Sequence, residues 1–385
     1  MLTVVLIIEV PVFAQVHFEK LGYVPETGHT FVGWADLNHN GIKELTYKLN
    51  NPSVSRSYEY VPYIGPNERN PFRLRAEYNC GVKEVGDADD DDLSEIIYQS
   101  GPQISILESQ STTGFPNTVV WTAALRDSIS FDARITDLDG NRAKEICIAG
   151  NSLASDPGPH GDFAIYENTN DNEYACVFNS CWLTLFDKEW VGPIVVGDFD
   201  GDNAAEVVLS SLEGEIGIVK YIGMGYYWGE VVYDLPILNS YQLTKLNDVN
   251  SNGRDEFVVG GWENGPNNWY YGMFEYNPTT DSYQILNEWR FASGSYACAA
   301  GDTNGDGRDE LALGSGNNIY LYNFPPTTEP QLIYTFQASY APGIGIYAYF
   351  YDIDSDGDYE ILFDNRNIDQ LEIYRRNDNP ISIEK

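Results

Sequence analysis

Seven times the chain repeats one short acidic phrase, at intervals of 50 to 61 residues. The phrase reads Asp, any, Asp or Asn, any, Asp or Asn, often Gly, two further residues, then Glu. A period near 50 residues marks a repeat architecture in which each unit is one supersecondary element. In order, the copies place their polar positions at Asp36, Asn38, Asn40 and Glu44; at Asp87, Asp89, Asp91 and Glu95; and at Asp137, Asp139, Asn141 and Glu145. They continue at Asp198, Asp200, Asp202 and Glu206; at Asp248, Asn250, Asn252 and Glu256; at Asp302, Asn304, Asp306 and Glu310; and at Asp352, Asp354, Asp356 and Glu360. The starts are separated by 51, 50, 61, 50, 54 and 50 residues, so the third unit carries an insertion.

Alternate residues of a tight loop can turn carboxylate and amide oxygens inward. Calcium, a hard cation, takes about six to eight such oxygens at roughly 2.3–2.6 Å. Positions 1, 3 and 5 would supply side chains, position 7 a carbonyl and position 9 an acid. Position 6 calls for a left-handed backbone, which glycine adopts without steric cost. Gly41, Gly253, Gly307 and Gly357 fill it in copies one, five, six and seven, and Asp92 and Asn203 in copies two and four. Arg142 in copy three is the misfit, which makes that site the weakest candidate. Copies two, four, six and seven hold at least three carboxylates and are expected to bind best. The loop is not an EF-hand, whose bidentate Glu stands at position 12; in copy six position 12 is Leu313. A metal-free acidic turn would explain one copy. Seven copies with the same ligand positions argue for calcium.

The flanks are short apolar runs of strand composition, IVVG and VVLSS around copy four, CAAG and LALGS around copy six. A Gly/Asn-rich stretch follows, then an aromatic strand (DFAIYEN, GMFEYN, NIYLYNF), then a fourth strand (VVWTAAL, QLIYTFQ). Four antiparallel strands in about 50 residues make one propeller blade, and seven blades lie within the usual range of about four to eight. The expected fold is therefore an all-β, seven-bladed β-propeller of four-stranded blades, with no helix longer than about two turns. After copy seven only ILFDN and LEIYRR remain, one strand short of a blade, whereas VHFEKLGYV precedes copy one without a unit of its own. The N-terminal strand is expected to complete the last blade, His17–Val24 against Leu371–Arg375, removing an open seam.

These residues resemble the FG-GAP or VCBS-type repeat propellers, related to the head of integrin α chains. The resemblance covers nearly everything after residue 15 and rests on the acidic phrase; Gly86-Asp87, Gly197-Asp198 and Gly301-Asp302 preserve part of the repeat signature. It implies metal loops joining the two inner strands of each blade on one face of the disc. The chain departs from it in its degenerate Phe-Gly and Gly-Ala-Pro motifs, and in carrying Glu at position 9 where integrins have Asp.

A formal charge of −36, from 58 acidic and 22 basic residues, argues against nucleic acid and anionic membrane surfaces as partners. Residues 2–13, LTVVLIIEVPVF, are too short to span a bilayer and are broken by Glu9 and Pro11. Val12-Phe13-Ala14 resembles a cleavage site, so residues 1–14 read as a signal peptide without its positive n-region, and 15–385 as one propeller. The other reading of this run is a buried first strand. No membrane insertion is expected. Five Cys make no disulfide scaffold here; Cys176 and Cys181 would need a bulge or turn between them to pair.

The expected function is a secreted or cell-surface, calcium-stabilised, non-catalytic module for an extracellular glycan or protein ligand. The segment Trp262–Tyr271, WENGPNNWYY, offers Trp262, Asn264, Trp269 and Tyr270 as ligand contacts; Asn151–His160 and Tyr221–Trp228 are further candidates. Packing between blades is the competing explanation for each of these aromatics. The alternative function is a polysaccharide lyase or hydrolase on a calcium-bearing propeller, since fold does not determine activity. Against it, the chain has only His17, His29, His39 and His160, no nucleophile motif and no His/Cys metal cluster. A purely architectural propeller inside a larger assembly is a third reading.

Overall fold

In a computed structural model the second strand of each unit opens on a buried Glu and is largely buried along its length, because it is covered on both sides by the neighbouring blades. Glu206–Ser211 and Glu310–Ser315 are buried at every residue. The fourth strands lie on the rim and alternate; Ser282–Phe291 and Thr118–Ala124 bury only part of one face. The structure describes residues 16–25, 30–49, 54–62, 70–101, 103–124, 130–151, 161–179, 191–263, 268–325, 329–337, 346–365 and 369–378. The proposed signal segment 1–14 lies outside them, as do Asn264, Cys181 and residues 152–160 of the second ligand candidate.

Seven four-stranded antiparallel sheets form a seven-bladed β-propeller, and the described residues contain no helix. Blade one is Thr30–Ala35, Glu44–Lys48, Ser55–Tyr60 and Phe72–Tyr78; blade two is Gly81–Gly86, Glu95–Ser100, Gln103–Glu108 and Thr118–Ala124. Blade three is Ser130–Thr136, Glu145–Asn151, Gly161–Asn170 and Glu173–Asn179; blade four is Val191–Gly197, Glu206–Ser211, Glu215–Gly223 and Tyr226–Asp234. Blade five is Ile237–Leu246, Glu256–Glu263, Trp269–Asn277 and Ser282–Phe291; blade six is Cys298–Gly301, Glu310–Ser315, Asn318–Asn323 and Gln331–Gln337. Blade seven is Ala348–Tyr351, Glu360–Asn365, Gln370–Arg376 and, as its outer strand, Phe18–Pro25. From blade one round to blade seven, each first strand packs against that of the next blade.

The cores lie between blades. Phe257 stacks on Phe274 at 5.2 Å and meets Phe199 of blade four edge-on at 5.4 Å. The buried Tyr271 hydroxyl of blade five lies 3.0 Å from the carbonyl oxygens of Ser295 and Gly314 and 3.1 Å from that of Ala297, so it ties blade five to blade six. Towards the axis, Arg134 pairs with Asp132 at 2.7 Å and with Glu84 of blade two at 3.4 Å. Asp132 in turn accepts the Ile194 N–H of blade four at 3.1 Å, so one ionic chain ties three inner strands together.

The ring closes as expected. The outer strand pairs Phe18 with Arg376 and Val24 with Leu371, with a bulge between Lys20 and Gly22. The Asn377 N–H donates to the His17 carbonyl at 2.8 Å, and Lys20 Nζ lies 2.5 Å from Glu372 Oε1. The Phe18 ring sits 4.9 Å from both Tyr334 and Phe336 of blade six. Val24 joins Leu45, Tyr47 and Ile353 in the core between blades seven and one. Truncating Phe18 removes a buried ring from this seam, so Phe18→Ala is expected to cost about 3–5 kcal/mol. Urea unfolding checks it; a loss below about 1 kcal/mol would show that the strand contributes little to closure.

Candidate metal centres in the blade loops

Each acidic phrase starts immediately after, or within two residues of, the end of a blade's first strand, and its Glu is the first residue of the second strand. All seven therefore lie on one face, where first and second strands join. The Glu carboxylates are buried. Their Oε2 atoms accept the N–H of position 2: Leu37 at 2.8 Å, Ala88 at 2.5 Å, Leu138 at 2.6 Å, Phe199 at 2.8 Å, Val249 at 3.1 Å, Thr303 at 2.8 Å and Ile353 at 2.8 Å. The position-1 Asp accepts the position-6 N–H in every copy, between 2.7 Å at Gly307 and 3.2 Å at Gly357. The position-5 side chain accepts the N–H of position 7, from 2.6 Å at Ala143 to 3.0 Å at Arg254, Arg308 and Asp358.

This frame forces positions 4 and 6 into the left-handed region. Position 6 has φ of 84° at Gly41, 69° at Asp92 and Asn203, and 98° at Gly357. Arg142, the expected misfit, adopts φ 77° and makes the same bond to Asp137 Oδ2 at 3.1 Å. The bond offsets the roughly 1–2 kcal/mol that a Cβ costs there, so copy three is built like the rest. Position 4, which the repeat does not flag, is also left-handed, as at His39 (56°), Asp90 (63°) and Ser355 (61°). Position 2 is the other hidden element. Leu37, Leu138, Phe199, Val249 and Ile353 are buried anchors beneath their loops.

Carboxylate oxygens converge within 4.8 Å of one another in loop two (Asp87, Asp89, Asp91, Glu95), loop three (Asp137, Asp139, Glu145), loop four (Asp198, Asp200, Glu206) and loop seven (Asp352, Asp354, Asp356). Where position 3 is Asn, its amide bridges to the Glu instead. Asn250 and Asn304 Nδ2 lie 2.6 Å from Glu256 and Glu310 Oε1, and Asn38 bonds Glu44. Burial pushes all seven Glu carboxyls upward, to about 7 at Glu145 and Glu310, about 8 at Glu44, Glu206, Glu256 and Glu360, and about 9 at Glu95. A bound cation would favour the ionised form of such groups. The oxygen-only donor set, with an acid at its buried end, fits a hard divalent ion.

The loops divide by the third-strand residue opposite the Glu. Glu44 pairs with Glu59, Glu145 with Glu167 and Glu206 with Lys220. The same register sets Glu108 beside Glu95, Glu275 beside Glu256, Asn323 beside Glu310 and Arg375 beside Glu360. Loops one, two, three and five thus gain a further carboxylate from outside the phrase. Loop four has Lys220 Nζ 3.4 Å from Asp200. Loop seven has Arg375 Nε 3.1 Å from Glu360 and the same guanidinium paired with Asp354. Loop six receives Arg376 of blade seven, 3.5 Å from Glu310. The ranking by loop carboxylates alone, with copies two, four, six and seven ahead, therefore changes: only loop two combines a full phrase with an added acid and no built-in cation.

The aromatic candidates scatter. Trp262 stands 40% exposed at the far end of its strand, on the face opposite the loops. Tyr270 is buried, donates to Glu288 at 3.0 Å and lies under Arg290 at 5.0 Å; Trp269 packs edge-on against Tyr296 at 6.1 Å. The cluster Tyr221–Trp228 sits on the hairpin between third and fourth strands, on the metal-loop face, with Met224 95% and Tyr226 66% exposed.

No protein-family model and no curated protein matches the chain. Solved propellers do. The crystal structure of BBS1N in complex with ARL6DN, soaked with lead, superposes with a TM-score of 0.57 at 12% identity, covering 96% of this chain and 97% of that one. The WD40 domain of Toxoplasma gondii coronin gives a TM-score of 0.57 at 11% identity, covering 97% and 89%. At these identities the likeness is one of fold. No helix among the described residues is long and apolar enough to cross a membrane.

Proposed function

We propose that this seven-bladed propeller is a non-catalytic, protein-binding module whose disc is stiffened by calcium, working outside the cell among the FG-GAP/VCBS-type propellers. The observation that carries the reading is the sevenfold repetition of one oxygen-lined loop: seven equivalent frames serve a scaffold better than a single reaction centre. Asp36, Asp87, Asp137, Asp198, Asp248, Asp302 and Asp352 would anchor the ions, with positions 3 and 5 and the buried Glu completing each shell. Extracellular calcium modules bind with Kd of about 10⁻⁴ to 10⁻³ M, which suits such open loops. The opposite face, with Trp262 at its surface, is left for the ligand. BBS1N, a propeller of the same span, was crystallised in complex with ARL6DN, and this supports a protein ligand over a glycan.

The alternative, a polysaccharide lyase or hydrolase, has one foothold near the axis. Burial pushes Lys83 down to about 8 and Glu84 up to about 7, values suited to proton transfer. One experiment separates the two readings. The chain is screened against extracellular protein and glycan arrays, with and without chelator, and assayed on acidic polysaccharides. Protein binding without turnover supports the module, and turnover of a polysaccharide overturns it.

A further inference from the structure

Loop two differs from the other six in what blade three brings to it. The turn between the third and fourth strands of blade three, at Asp171 and Asn172, folds over the loop. The Asn172 N–H donates to Asp89 Oδ2 at 2.7 Å, and Asn172 Nδ2 donates to Glu108 Oε2 at 2.6 Å. Asp171 thereby comes within 4.8 Å of Asp89 and Glu108, forming a second carboxylate set that shares Asp89 with the loop's own four. No Lys or Arg pairs with any of these acids among the ion pairs of the described residues.

The oxygens facing this space are not used up by the protein. Glu95 is fully buried; its Oε2 takes the Ala88 N–H, but its Oε1 meets no protein donor. Asp89 Oδ1, Asn172 Oδ1 and the Tyr174 hydroxyl are likewise buried without a protein partner. A buried acceptor left unpaired costs about 1–3 kcal/mol. Three such acceptors, on Glu95, Asp89 and Asn172, belong to the loop and the turn that covers it, and they call for cations.

We propose that loop two and the blade-three turn form a paired divalent-cation site bridged by Asp89. One position is held by Asp87, Asp89, Asp91 and Glu95. The other is held by Asp89, Glu108 and Asp171, beside Asn172. The second ion staples blade two to blade three. The inference rests on the reading that these loops take calcium, and adds a position outside the repeated phrase.

The test is a calcium count on metal-stripped protein by calorimetry, together with terbium luminescence excited through Tyr174 and Trp121, whose rings are 5.2 Å apart. Asp171 is exposed on a turn, so Asp171→Asn is expected to keep the metal-free melting temperature. It is expected to bind one calcium fewer per chain than the wild type and to lose part of the sensitised terbium signal. Asp281→Asn, in the corresponding turn of blade five, is expected to change neither. Equal counts and signals in wild type and Asp171→Asn, with calcium bound to both, would overturn the second position alone. No calcium uptake by the wild type would overturn the loop reading itself.

Discussion

Stripping divalent cations from the chain is expected to lower its melting temperature by about 5 °C in millimolar calcium buffers. Loops two, three and five carry the third-strand Glu and no built-in cation beside the phrase, whereas in loop one Arg75 already lies 2.6 Å from Glu59. A site at tenfold its Kd adds about 1.4 kcal/mol to the folded state, so three add about 4.2 kcal/mol. Unfolding entropy near 2.1 cal/mol/K per residue turns that into about 5 °C for 385 residues. Differential scanning calorimetry with and without chelator checks it. Pairing Asp87→Asn with Asp89→Asn should reproduce part of the shift, whereas the same changes at Asp352 and Asp354, where Arg375 already sits, should not. A melting temperature indifferent to chelator would mean that the protein's own cations and protons neutralise the loops.

Protons lead to the second large effect, a reversal of pH dependence between the two forms. In the metal-free protein the seven loop Glu carboxyls hold their protons up to between about 7 and 9, against an ordinary 4.5. A folded-state value above the unfolded one means that the native state binds more protons. The resulting stability is complete below about pH 4.5 and is lost as pH rises through about 7 to 9. Acidifying metal-stripped protein from pH 9 to pH 5 should therefore raise its melting temperature, its stability growing by up to about 1.4 kcal/mol per pH unit for each group taking a proton. With calcium saturating, the same carboxyls are ionised and protons compete with the metal, so acidification should lower stability. Melting curves at five pH values with and without calcium decide it. Parallel trends in the two series would sink the assignment of these Glu as metal ligands.

The repeat made the ring legible because it recurs at the one place in each blade where backbone geometry is most constrained. Asp at position 1 must reach the N–H of position 6, and the Glu must reach that of position 2; neither job tolerates a change of residue type. What stayed hidden works through register. Glu59, Glu108, Glu167 and Glu275 enter their sites only because a hairpin sets them beside the phrase's Glu, and the spacing to that partner varies from 13 residues at Glu108 to 22 at Glu167. Arg142 shows the limit of propensity: one hydrogen bond to Asp137 holds a backbone conformation that its side chain disfavours. The aromatic run from Trp262 was ambiguous for a different reason. A tyrosine sealing two blades and one meeting a ligand look alike in sequence, and only burial separates Tyr270 from Trp262.

The outer strand of blade seven has a kinetic consequence. Lys20 and Glu372 are 352 residues apart in the chain yet in contact, so the last blade cannot be finished until the third strand of blade seven has left the ribosome. Six blades must wait, stacked but unsealed, with the Val24 and Phe18 sockets open to water. Once the strand is in place, His17 and Asn377 lie side by side. Joining the ends there and cutting between two other blades would move the gap without changing a single blade contact, and the permuted chain would reach the same ring by a different order of assembly.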